Sequence, residues 1–177
     1  MCKSSERSIV LIGFMGAGKS TLGRTLARMT GMPLIDLDSL IAEQQGRSIP
    51  DIFAAEGESA FRRYETAALS SLQTDSPLIL ATGGGIVGHP ENWQLMRRLG
   101  AVIYLRAQWE TLRARLSAST GRPLAAPDRC EDDIKSLWQQ RVPLYEQADL
   151  IVDTDEKGVD EVAQEVLSGV LERWAAC

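Results

Sequence analysis

Eight residues near the start of the chain, Gly13-Phe14-Met15-Gly16-Ala17-Gly18-Lys19-Ser20, fit the pattern G-x-x-x-x-G-K-[ST]. In such a loop, glycines let successive backbone N–H groups turn inward and form a nest for phosphate oxygens. A helix starting there adds the positive end of its dipole and its unused N–H donors. Lys19 would reach the β- and γ-phosphates of a nucleoside triphosphate, and the Ser20 hydroxyl would coordinate Mg²⁺. The bland alternative is a glycine-rich β-to-α turn. It is the weaker one, because the apolar run Ser8–Ile12 precedes the loop and the amphipathic stretch Lys19–Met29 follows it. A phosphate loop names what is held, not what is done with it.

Three further sets could supply the chemistry. Asp36-Leu37-Asp38 reads as the end of a strand, where residues i and i+2 share a face. One carboxylate could hold a magnesium-bound water and the other take a proton from an attacking hydroxyl. Alone, the pair is read as well or better with Asp38 as the cap of the next helix. Arg62, Arg122 and Arg141 could grip anionic groups, though a single arginine is most often a solvated surface residue. Gly83-Gly84-Gly85 would let a ligand approach the backbone closely, or would simply make a flexible turn.

The elements that must position these groups alternate strand with helix. Strands are expected at Ser8–Ile12, Leu34–Ile35, Pro77–Ala81, Ala101–Leu105 and Leu150–Val152. Helices are expected at Lys19–Met29, Ser39–Gln45, Ile49–Ala55, Glu58–Leu72, Glu91–Leu99, Gln108–Ala118, Asp132–Gln147 and Val159–Trp174. Gly57 should break the third from the fourth, and Pro143 should kink or end the penultimate one. Leu22, Leu26 and Met29 should share one face of the first helix. This rhythm means an α/β sandwich with a mainly parallel central sheet. Two stretches break it: residues 38–72, helical without a strand, and residues 119–130, a flap carrying Gly121, Pro123 and Pro127. Ligands in open α/β sheets bind beyond the carboxyl ends of the strands, where both insertions would lie.

Composition bounds the answer. The 177 residues suit one domain, 1–177, and 44% hydrophobic with 24% charged residues is the balance of a packed globular protein. A net charge of −5 argues against a nucleic-acid surface. No apolar run is long enough to span a bilayer, and the polar start lacks the pattern of a secretory signal. Cys2, Cys130 and Cys177 make neither a disulfide framework nor a zinc site, so a reducing cytoplasm is the expected home. Arg outnumbers Lys 15 to 4, which suits forked recognition of a small acidic ligand.

Taken in order, the phosphate loop, Asp36-Leu37-Asp38, Gly46-Arg47-Ser48-Ile49 with Ile52-Phe53, Gly57-Glu58, Phe61-Arg62-Arg63 with Glu65, Thr82-Gly83-Gly84-Gly85, Arg122-Pro123-Leu124 and Arg141-Val142-Pro143-Leu144-Tyr145 resemble shikimate kinase. The likeness covers nearly the whole chain. It implies a P-loop kinase with a nucleoside-monophosphate-kinase-like fold: a three-layer α/β/α sandwich whose five parallel strands run in the order 2-3-1-4-5. It implies transfer of a phosphoryl group from ATP, with Mg²⁺, to the 3-hydroxyl of shikimate, on the way to chorismate and the aromatic amino acids. Residues 38–72 become the acceptor-binding part and 119–130 the lid, in a monomer.

By the same likeness, Asp38 is the base and touches the ring hydroxyls, while Asp36 supports Mg²⁺ through water beside Ser20. Arg62 and Arg141 hold the acceptor carboxylate, Gly83, Gly84 and Gly85 offer backbone donors, and Phe53, Phe61 and Glu65 shape the pocket. ATP falls to Gly16, Ala17, Gly18, Lys19, Ser20 and Thr21, with Arg122 swinging in and Arg115 and Asp153 to Lys157 on the adenine side. His89, the sole histidine, reads as a loop residue before Pro90, and Cys130 as a loop thiol. Two rivals stand beside this reading. One is another small-metabolite kinase of the same fold, such as a gluconate kinase. The other is a regulatory P-loop NTPase, against which the chain lacks an Asn-Lys-x-Asp guanine motif.

Overall fold

A computed structural model describes residues 7–72, 76–118 and 130–175. Five parallel strands form its sheet: β1 (Ser8–Ile12), β2 (Leu34–Asp36), β3 (Ile79–Ala81), β4 (Gly100–Arg106) and β5 (Leu150–Asp153). Their order is β2-β3-β1-β4-β5, as the resemblance implies. β1 lies at the centre, with Ile9 opposite Ile79 on one side and Ala101 on the other. All five of its residues are buried, which is why this strand is a continuous apolar run and not an alternating one.

Helices α1 (Lys19–Thr30) and α7 (Val159–Ala175) pack side by side against the sheet. On the other side lie α3 (Ile49–Ser71) and α4 (Pro90–Leu99), with α4 on β1 and β4. α2 (Leu37–Gln45), α5 (Trp109–Ser117) and α6 (Glu131–Tyr145) complete the set among the described residues. Val162, Val166 and Val170 of α7 are buried, and so are Leu22 and Leu26 of α1. Met29, at the end of α1, is 43% exposed, just before Gly31 closes the helix in a left-handed cap.

Two local readings change. α2 begins at Leu37 and not Ser39, so Asp36 ends the strand while Asp38 already sits in the first helical turn. The two carboxylates therefore do not share one extended face. α6 continues through Pro143 for two more residues before ending at Tyr145. A proline near a helix end removes only one late hydrogen bond there, so it is tolerated. Gly57 does interrupt α3, with φ 78° and ψ 178°, a conformation that is essentially glycine's own. No helix among the described residues is long and apolar enough to cross a membrane.

Candidate active site

The parallel arrangement brings the ends of β1, β2 and β3 to one edge, and each is followed by a segment carrying polar groups. After β1 the phosphate loop turns into α1. Gly16 and Gly18 have φ 83° and 94°, and Gly18 is the left-handed cap from which α1 starts. Lys19, 9% exposed, folds back over the loop, donating from Nζ to Gly13 O at 2.7 Å and Phe14 O at 3.0 Å. An ammonium parked on loop carbonyls is placed where phosphate oxygens would take it over. Ser20 Oγ donates to Asp36 Oδ2 at 2.9 Å, joining the loop to the end of β2.

Asp36, not Asp38, is the helix cap: its Oδ1 accepts from Ser39 N at 3.2 Å. With its other oxygen on Ser20, Asp36 offers a hard-oxygen pair beside the phosphate nest. That pair fits Mg²⁺, which takes one or two protein oxygens and fills the rest of its shell with water and phosphate. Among the described residues there is no cluster of three or more His, Cys, Asp or Glu able to cage a metal alone.

One cavity of about 210 Å³ joins these groups to the far wall. It is lined by Gly16, Gly18, Lys19, Ser20, Thr21, Asp36, Asp38, Phe53, Phe61, Arg62, Glu65, Gly83, Gly84, Gly85 and Arg141. Met15, Ile49 and Thr82 also line it and were not foreseen. Phe53 and Phe61, from the two sides of the Gly57 kink, meet with ring centroids 4.7 Å apart, and the Arg62 guanidinium lies 5.4 Å from the Phe61 ring.

Arg62 is buried, and its guanidinium reaches Glu65 Oε2 at 2.5 Å and Glu58 Oε1 at 2.8 Å. Burial works to lower its pKa, but the charges and hydrogen bonds of Glu65 and Glu58 prevail and the net direction is up. Glu58 was missed, although i,i+4 and i,i+3 spacing on a helix points to both partners. Glu65 is 0% exposed, and burial pushes its carboxyl above the ordinary value against the pull of Arg62, with the Asp38 charge adding to the push. Glu65 Oε1 is buried with no hydrogen-bond partner among the described residues.

The three glycines after β3 are small for three separate reasons. A Cβ on Gly83 would sit 2.8 Å from Glu65 Oε1 and 3.0 Å from Asp38 Oδ1. On Gly84 it would press on the phosphate loop, 3.3 Å from Met15 N. On Gly85 it would fall 2.3 Å from the Arg62 guanidinium. The run is thus the shared floor on which Asp38, Glu65, Arg62 and the phosphate loop converge. Arg141 reaches it from α6, donating from Nη1 to Gly84 O at 3.4 Å.

A second cavity of about 370 Å³ opens behind the loop, lined by Gly16, Ala17, Gly18, Thr21, Arg115, Thr154 and Lys157 among others. Arg115 spans it, donating to Gly16 O at 3.3 Å and Thr154 O at 3.5 Å. Ala17 appears in this cavity and not the first. Arg122 and residues 119–129 of the expected lid lie outside the described residues. His89 is exposed at the start of α4 and away from the cleft, and Cys130 is an exposed free thiol.

Residues 15–170 match the family model described as shikimate kinase. A shikimate kinase of Geobacter metallireducens is 43% identical over 96% of this chain and 94% of its own length. One from Enterococcus faecalis is 45% identical over 93% and 99%. The structure of shikimate kinase from Acinetobacter baumannii in complex with shikimate superposes with a TM-score of 0.89, at 35% identity and 96% coverage of both chains. A gluconokinase from Sinorhizobium meliloti shares the fold alone, with a TM-score of 0.59 at 19% identity over 95% of this chain and 93% of its own. The ordered motifs, the sheet order and these likenesses agree, and the chain belongs to the shikimate kinase family.

Proposed function

We propose that the chain transfers the γ-phosphoryl group of ATP to the 3-hydroxyl of shikimate, giving ADP and shikimate 3-phosphate in the route to chorismate. The observation that carries this reading is a single cleft with a phosphate nest on one wall and Asp38, Arg62 and Arg141 around a glycine floor on the other. Phosphoryl transfer asks a protein chiefly for positioning and charge neutralisation, and the cleft supplies both.

In this reading the Gly16–Thr21 backbone cradles the phosphates and Lys19 leaves its loop carbonyls for the phosphate oxygens. Ser20 and Asp36 hold Mg²⁺, Asp36 through water; when bound, the ion neutralises phosphate charge. Arg62 and Arg141 clamp the carboxylate in the forked manner guanidinium groups allow, and Gly83, Gly84 and Gly85 present backbone donors. Arg62 arrives pre-set by Glu58 and Glu65, while Phe53 and Phe61 close the apolar side of the ring. Asp38 accepts the proton of the attacking hydroxyl. Arg115 and the Asp153–Lys157 segment face the adenine, and Arg122 joins the phosphates from the lid at 119–130.

One catalytic domain over residues 1–177, acting as a monomer in the cytoplasm, belongs to the same proposal and rests on the family likeness and the unpatterned cysteines. The deciding measurement is coupled ADP release with ATP and Mg²⁺ across a panel of acceptors. Release that depends on shikimate is expected. Turnover of gluconate or a nucleoside monophosphate without turnover of shikimate overturns the assignment.

A further inference from the structure

One buried group bonded to the floor of the cleft has no part in the chemistry above, the phenol of Tyr145. It lies four residues after Arg141 on α6, so both side chains leave the same face of that helix. Tyr145 is 0% exposed and its ring stacks on Tyr104, with centroids 5.0 Å apart and planes 20° apart. Its hydroxyl donates to Gly84 O at 2.5 Å, well inside the 3.4 Å of the Arg141 contact to the same carbonyl.

The consequence follows from peptide geometry. A trans peptide unit is planar, so the carbonyl of one residue and the N–H of the next point in opposite directions. Holding Gly84 O against Tyr145 therefore turns the Gly85 N–H away from α6. Gly83 O is held in its turn by Ile86 N at 3.3 Å, which fixes the Gly84 N–H. Among the described residues neither N–H has a protein acceptor, and both glycines line the cleft. Two oriented, unused donors stand at the floor of the acceptor side.

We propose that Tyr145 is a positioning residue for the acceptor: its hydroxyl keeps the Gly84–Gly85 peptide oriented, and keeps it so when Arg141 leaves Gly84 for the acceptor carboxylate. The proposal rests on the reaction proposed above. Arg141 at 3.4 Å is a weak tether and has a second claim on it, whereas the phenol has no other acceptor among the described residues. Three consecutive glycines carry the largest backbone freedom of any residues. Without the phenol, binding would untie the run just as its donors were needed, and the ordering cost would fall on acceptor affinity.

Tyr145→Phe keeps the ring and its stack and removes one O–H. The expected result is a KM and Kd for shikimate about 5- to 20-fold higher, the scale of a buried hydrogen bond lost, with the KM for ATP unchanged. In the ligand-free variant the Gly85 amide resonance should also shift and exchange faster. Tyr104→Phe, which touches the same stack, should alter neither. An unchanged shikimate KM, or shikimate and ATP values that rise together, overturns the proposal. In the wild-type protein the Tyr145 phenolic proton should exchange slowly with and without shikimate; its loss to solvent on binding also overturns it. If wild-type protein turns over no shikimate, the proposed reaction fails separately. The Gly85 amide in Tyr145→Phe then decides alone whether the phenol holds this peptide.

Discussion

At the residue scale the cleft shows how context reassigns carboxylates. Asp36 and Asp38 are two residues apart, but the helix begins between them. One is spent on the helix cap and Ser20, and the other is left at the floor of the cleft beside Gly83. Asp38→Asn keeps the shape and removes the proposed base. Its kcat is expected to fall by about 10² or more with ATP affinity intact, measured by steady-state kinetics and nucleotide titration. A near-normal kcat would remove Asp38 from that role. Glu65 carries a second prediction. Burial holds its carboxyl above the ordinary 4.5, so the folded state keeps a proton that the unfolded chain has lost. Stability should therefore decline as pH rises from 4.5 through the raised native value. Glu65→Gln cannot ionise, so thermal melts should show the wild-type-minus-variant Tm difference shrinking over that interval. A difference flat in pH counts against a raised Glu65. The proposed role of Arg62 was readable from its motif, but not its anchoring, since that depends on where the buried Glu65 and the exposed Glu58 come to lie around it.

At the scale of elements, α3 is the piece that shapes the acceptor side. Its two halves meet at Gly57 and are tied across the break by Glu56, which accepts from Arg47 and from the Tyr64 hydroxyl at 2.7 Å. Phe53 lies before the kink and Phe61 after it, so the angle of the kink sets their contact. At φ 78° and ψ 178° a Cβ is strained even though no neighbouring atom stands in its way. Gly57→Ala should cost about 1–3 kcal/mol and lower the Tm by several degrees. It should raise the KM for shikimate more than that for ATP; equal effects would separate the kink from acceptor binding. The break itself is legible in the sequence, because Gly57 interrupts a helical period. The start of α2 was not, because Asp36-Leu37-Asp38 satisfies a strand end and a helix start equally, and only pairing of Asp36 with Ala81 of β3 decides it.

At the scale of the whole molecule, the site exists because parallel strands deliver three loops to one edge. A ligand bridging those loops should stabilise the fold by mass action. Shikimate at about 100 times its Kd should add about 2.7 kcal/mol, a rise of several degrees in Tm by differential scanning fluorimetry. Gluconate giving the same shift and shikimate none would favour the rival acceptor. The sequence by itself determined the phosphate loop, the alternation that demands an α/β fold, and the candidate residues of the acceptor side, since each depends on residue type at short spacing. An arginine excess hinted at an acidic ligand, and position in the motif, not number, picked out Arg62 and Arg141. Only the tertiary structure decided which aspartate caps α2, what each of the three glycines faces, and that Tyr145 grips Gly84. Those facts join residues far apart in the chain, such as Tyr145 and Gly84, 61 positions apart. Contacts at that range are created by the sheet order, and local spacing carries no record of them.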